Sequence, residues 1–234
     1  MKKTQVFNVI VLDRSGSMEA IHKAAVEGFN ETLMGIKRAQ EKFVETQDHF
    51  VSLVTFCSCE IKYVFDKLPV TEVSLLRMED FQPCCTTPLY DAMGITFTAM
   101  RHYVKSIGDA VVVVTIITDG MENASREYRC KDIKELVKCL RGEGWTFTYM
   151  GANQDALAVA MSLSIRNSRN FPYSHEGARA SMNKDMKTRM NFFSRLSDMK
   201  IQEADEGMAM ISAEERYKQY TCMADEAFDE EERK

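Results

Sequence analysis

Asp13, Ser15 and Ser17 stand at alternate positions around Gly16 in the segment DRSGSM, so three oxygen-bearing side chains can converge on one point in a tight turn. Two further segments carry side chains of the same kind: CCTTPLYDA supplies Thr87 and TDGMEN supplies Asp119. Two carboxylates and three hydroxyls form an all-oxygen donor set with no imidazole or thiolate. That set suits a hard cation such as Mg2+, or alternatively Mn2+ or Ca2+, better than zinc. An ion with few direct carboxylates stays electrophilic and keeps waters, so an Asp or Glu from a protein partner could replace one water and complete the shell. That chemistry would be binding, with the ion as a bridge.

The three segments can meet only if the elements around them place them at one crevice. Short β-branched runs alternate with longer stretches of helical periodicity, the pattern of an α/β chain: a doubly wound, mostly parallel central sheet with helices on both faces. Val6 to Leu12 reads as a strand buried on both faces, and Met18 to Arg38 as a helix with Ser17 as its N-cap. Phe50 to Phe56 and Ile61 to Phe65 are too close in sequence for a parallel crossover and predict one antiparallel edge strand. A weak helix is expected near Ser74 to Met78, and a stronger one from Pro88 to about Lys105. Ala110 to Thr118 is the most hydrophobic segment and predicts a central strand ending at Asp119 and Gly120. A helix near Lys131 to Arg141, a strand from Trp145 to Met150, a helix from Asp155 to Ile165, a short strand from Arg169 to Tyr173 and a helix from Gly177 to Leu196 complete the pattern. In a sheet of this kind, loops at the carboxyl ends of adjacent central strands share one crevice, which is where the three segments fall.

The order and spacing of D-x-S-x-S at Asp13, Ser15 and Ser17, T-P-L-Y-D-A from Thr87 and I-T-D-G from Ile117 resemble the metal-ion-dependent adhesion site (MIDAS) of von Willebrand factor A (VWA) domains. The resemblance covers about residues 4 to 196 and implies a Rossmann-like VWA fold. It implies Ser15, Ser17 and Thr87 as direct ligands, with Asp13 and Asp119 binding directly or through water. The stretch YMGANQD at 149 to 155 looks like a feature of stand-alone bacterial or phage intracellular members. One departure stands out: glycine usually precedes the threonine ligand in that family, whereas Cys84, Cys85 and Thr86 precede Thr87 here, which makes Thr86 a rival ligand.

At 234 residues, 45% hydrophobic and 28% charged, the chain supports one main core rather than two. Residues 1–196 read as the VWA domain and 197–234 as an acidic, Met-rich C-terminal tail, helical or disordered, whose DEEER run is expected to be a frayed, solvated end. The overall charge is −5, and the last 34 residues carry −7 of it, so the body is nearly neutral. It has no Lys/Arg stripe, which argues against nucleic acid or an anionic membrane as partner. No apolar run approaches a membrane span of about 18 residues or a secretory signal, and seven cysteines without a C-x-x-C fit a reducing cytoplasm.

Other residues have plainer readings. Asp91 is expected to oppose the dipole of its helix, and Glu122 and Asn123 to be structural rather than to support ligands. Cys84 and Cys85 are expected to be packing residues, and His22, His49, His102 and His175 show no ligand spacing. Met208, Met210 and Met223 are equally consistent with an adaptable partner surface and a loose helix. No catalytic residue is assigned. A metal-dependent phosphohydrolase with Asp13 as nucleophile would want a second Asp where Ser15 stands. A serine hydrolase would want G-x-S-x-G, and a nucleotide-binding fold a glycine-rich phosphate loop; neither occurs. Self-association, with Glu230 or Glu231 of the tail reaching the metal, is a further alternative.

Overall fold

The structure, a computed structural model, describes residues 2–152, 156–172, 174–206 and 212–233. Asn153, Gln154 and Asp155 of YMGANQD, Tyr173 of the short strand, and Met208 and Met210 lie outside the described residues, as does the side chain of His175.

Strand β1 (Thr4–Asp13) is buried on both faces because its apolar residues alternate between two cores: Val6, Ile10 and Leu12 join one, and Phe7, Val9 and Val11 the other. It pairs in parallel with β2 (Gln47–Cys57) on one side and with β4 (Ala110–Thr118) on the other. β3 (Glu60–Pro69) follows β2 after a two-residue turn and runs antiparallel to it at the edge. β5 (Thr146–Ala152) and β6 (Asn167–Phe171) extend the parallel sheet beyond β4, giving the order β3-β2-β1-β4-β5-β6. Winding therefore reverses between β1 and β4, and a crevice opens at the carboxyl ends of that pair.

Helix α1 (His22–Lys42), α5 (His175–Glu206) and α6 (Ala213–Glu232) contribute to one core, and α2 (Leu89–Val104), α3 (Cys130–Gly142) and α4 (Ala156–Ser162) to the other. Two expectations about local structure need correction here. The helix expected at Ser74 to Met78 is replaced by 3-10 turns at Val70–Glu72 and Met78–Asp80. The segment between them has its backbone satisfied from α1 instead: Asn30 bonds both the N–H and the carbonyl of Leu76, and Lys37 donates to the carbonyl of Val73. Ser17 is not an N-cap, because a 3-10 turn at Gly16–Ile21 precedes α1 and the Ser17 hydroxyl is engaged elsewhere.

The chain beyond Ser197 is more ordered than a frayed end. α5 runs on to Glu206, and α6 buries Tyr220, Ala224, Ala227 and Phe228. The DEEER run is paired rather than loose: Glu230 accepts hydrogen bonds from Asn191 and Arg195, and Glu232 pairs with Arg169 and Lys184.

One polar cluster fixes α5 on the sheet. Asn8 of β1 and Thr115 of β4 occupy positions where alternation calls for apolar residues, and Arg189 of α5 reaches both while its Nε donates to Asp185 at 2.9 Å. Arg189 and Asp185 are 3% and 5% exposed, so deleting one leaves the other uncompensated in the core. We expect Arg189→Ala or Asp185→Ala to cost about 3–5 kcal/mol in urea denaturation, and Arg189→Met with Asp185→Leu to cost less than either single change.

Candidate metal centre

β1 and β4 deliver Asp13 and Asp119 to the switch point from adjacent strand ends. The chain after Asp13 turns at once, because the Ser15 N–H donates to Asp13 Oδ1 at 2.7 Å. The Thr118 hydroxyl donates to Asp13 Oδ2 at 2.6 Å, tying the two strand ends through one fully buried carboxylate. Ser15 Oγ lies 3.2 Å from Ser17 Oγ, and the Ser17 hydroxyl donates to Asp119 Oδ1 at 2.7 Å.

Thr87 arrives from the loop before α2. A Cβ placed on Gly120 would sit 3.0 Å from Thr87 Oγ1, 3.4 Å from Ser17 Oγ and 3.7 Å from Asp13 Oδ2. Oxygens from two segments therefore converge beside a glycine of the third, whose missing side chain leaves the room, and Asp119 joins them through Ser17. Thr87 is buried; Thr86, the rival, is exposed, and its N–H and carbonyl are clasped by Ser58 instead. All five sequence-identified residues come together, and the donor set is oxygen throughout, which fits a hard divalent cation.

The loop after Asp119 braces this arrangement, contrary to the expectation that Glu122 and Asn123 would not support the candidate ligands. Asn123 Oδ1 accepts the Thr87 N–H at 2.9 Å, and the Asn123 N–H returns a bond to the Thr87 carbonyl. Glu122 accepts from the Tyr90 N–H and from Ser125, while Asp91 accepts the N–H groups of Arg126, Glu127 and Tyr128. Asp91 therefore holds the loop rather than an ion. A cleft of about 730 Å3 adjoins the centre, bordered by Thr86, Pro88, Asn123 and the turn from Cys57 to Glu60. Met121, beside Gly120, is 73% exposed.

Packing does not describe Cys84 and Cys85, contrary to expectation. Cys84 is half-buried and Cys85 exposed, and each meets a cysteine of the β2–β3 turn.

By sequence the chain matches no family model and no curated protein. By structure it is similar to the pilus adhesin SpaC from Lactobacillus rhamnosus GG, in its open conformation, with a TM-score of 0.57 and 14% identity over 82% of this chain and 31% of that one. It is similar to proximal thread matrix protein 1 of the mussel byssus with a zinc-occupied MIDAS motif, at a TM-score of 0.50 and 17% identity over 80% of this chain. It is also similar to manganese-loaded Plasmodium vivax TRAP protein, at a TM-score of 0.51 and 14% identity, covering 78% of this chain and 73% of that one. The chain spans less than half the length of the byssus protein, 46% of it. Likeness at these identities establishes shared architecture alone.

Burial pushes the Asp13 carboxyl up to about 6 from an ordinary 3.8, against the bonds from Thr118 and Ser15, and the Asp119 charge adds to the rise. The folded chain thus keeps this proton to higher pH than the unfolded one. The ionised carboxylate costs stability that grows from about pH 4 to about pH 6 and then levels at about 3 kcal/mol. In EDTA, Asp13→Asn should be the more stable protein at neutral pH by up to about 3 kcal/mol, with the gap closing towards about pH 4 in urea melts.

Proposed function

We propose that this chain, which has a Rossmann-like von Willebrand factor A fold, is a non-enzymatic module that binds a protein partner through a divalent cation held by Asp13, Ser15, Ser17, Thr87 and Asp119. The observation that carries the reading is the convergence of Thr87 Oγ1, Ser17 Oγ and Asp13 Oδ2 within 3.7 Å of one point beside Gly120. Mg2+ is the favoured ion, with Mn2+ or Ca2+ as alternatives, because the donors are hydroxyls and carboxylates. The neighbours named above with zinc and manganese support a divalent ion at such a site. When bound, the cation supplies an electrophilic position for an Asp or Glu of the partner.

The surroundings suit docking rather than turnover. Exposed Met121 offers an apolar contact at the rim. Among the described histidine side chains, His22 bonds the Met78 carbonyl, His49 is buried among Asn8, Gln47 and Phe193, and His102 is on the exposed face of α2, so none adjoins the oxygen cluster. Glu230 is engaged by Asn191 and Arg195, which favours a carboxylate from another protein over the chain's own acidic end. The near-neutral body favours a protein over nucleic acid or membrane, and no helix among the described residues is long and apolar enough to cross a membrane. Seven free cysteines fit a cytoplasmic setting.

Calorimetric titration of EDTA-stripped protein with Mg2+ and Mn2+ tests the reading. One saturable site is expected, lost in Asp13→Ala and in Thr87→Ala while both variants stay folded by circular dichroism, and kept in Thr86→Ala. Unchanged binding in Asp13→Ala, or loss in Thr86→Ala with Thr87→Ala unaffected, would refute the assignment.

A further inference from the structure

We propose that Cys57, Cys59, Cys84 and Cys85 form a second metal site, a four-thiolate cage for a soft, tetrahedral cation such as Zn2+, next to the oxygen-lined centre.

The residues come from two segments far apart in sequence. Cys57 ends β2 and Cys59 lies in the turn to β3, while Cys84 and Cys85 lie in the loop that carries Thr87. Cys57 Sγ is 3.3 Å from Cys84 Sγ, and Cys59 Sγ is 2.8 Å from Cys85 Sγ. The sulfurs of Cys57, Cys59 and Cys84 lie within 4.8 Å of one another, and Cys85, outside that group, adjoins it through Cys59. Four sulfurs on a tetrahedron with metal–sulfur bonds of about 2.3 Å stand about 3.8 Å apart, so on binding the two close pairs would open slightly and Cys85 would move in. The pattern C-x-C with C-C lacks the usual C-x-x-C spacing, and only the fold brings the two halves together.

Three further observations favour use of these thiols over simple packing. Cys85 has a φ of 60°, in the left-handed region that glycine occupies freely. A cysteine held there costs about 1 kcal/mol relative to an unstrained position. Its sulfur is exposed, as is that of Cys59, so burial of the side chain does not offset that cost. The Cys57 sulfur accepts a bond from the Arg14 guanidinium at 3.4 Å and faces the N–H groups of Cys59 and Glu60. Backbone N–H groups and a cation directed at one sulfur are the surroundings a ligating thiolate requires.

The cage would set the geometry of the neighbouring loop. Cys84 N–H donates to the Arg14 carbonyl at 2.8 Å, Gly16 N–H donates to the Cys85 carbonyl at 3.0 Å, and Ser58 N–H donates to the Thr86 carbonyl at 2.9 Å. A metal joining the two cysteine pairs would clamp this loop between the end of β2 and the turn that carries Ser15 and Ser17. Binding displaces the thiol protons to solvent and changes no oxidation state. Two disulfides, Cys57 to Cys84 and Cys59 to Cys85, are the competing outcome.

The test titrates the full-length, reduced, metal-stripped protein with Co2+ under anaerobic conditions. Thiolate-to-cobalt charge transfer with tetrahedral d–d bands is expected, saturating at one equivalent and abolished by one equivalent of Zn2+. Cys59→Ser with Cys85→Ser, both at exposed positions, should lose the band and keep the fold by circular dichroism, whereas Asp13→Ala should keep the band. Absence of the band in folded, fully reduced protein overturns the proposal, as does its persistence in the double cysteine variant. Peptide mapping that finds the two disulfides, with no cobalt band after reduction, assigns the cluster to redox pairing instead.

Discussion

A single carboxylate, Asp13, joins the two halves of the sheet. It ends the central strand with no solvent exposure, and its two oxygens are taken by the Ser15 N–H and the Thr118 hydroxyl, one from each side of the point where winding reverses. Burying an acid there is costly unless it is protonated, hydrogen-bonded or paired with a cation. The surrounding chain supplies the hydrogen bonds, and the opening beside Gly120 leaves space in which the hydroxyls of Ser17 and Thr87 face the same acid. The site is thus a consequence of the topology: at the β1/β4 boundary two strand ends and the loop before α2 approach one another.

What keeps the three loops in register is mostly backbone hydrogen bonding to side chains that do not face the centre. Asp91, Glu122 and Asn123 together tie the start of α2 to the loop after β4, so Thr87 is positioned from both sides. On the opposite flank the same loop is clasped to the β2–β3 turn and to the turn after Asp13. A loop constrained from two directions can present a hydroxyl with little reorganisation, which would favour ion binding at a weakly charged site.

Much of this was legible in the sequence, and the reasons are physical. β1 and β4 are unbroken apolar runs because both faces are covered, and the short link between β2 and β3 left no room for a crossover, so the mixed sheet could be read directly. The five oxygen donors were legible because strand ends in such a sheet have a fixed destination. Other features depended on long-range partners. The stretch from Val73 to Leu76 is extended because Asn30 and Lys37 of α1 satisfy it, a contact no local pattern reveals. The acidic terminal segment looked solvated because its basic partners, Arg195, Arg169 and Lys184, lie on other elements. The cysteine cluster was hidden because each half is an ordinary dipeptide or turn until β2 and the threonine loop are brought side by side.

The oxygen cluster beside Gly120 is proposed to hold a cation. Crystals soaked in Mn2+ and measured at the manganese absorption edge test it directly. An anomalous difference peak is expected, enclosed by Ser15, Ser17 and Thr87, with Asp13 and Asp119 in contact directly or through water, and no such peak in crystals of Asp13→Ala. A fully occupied Mn2+ peak elsewhere, with this cluster empty, would contradict it.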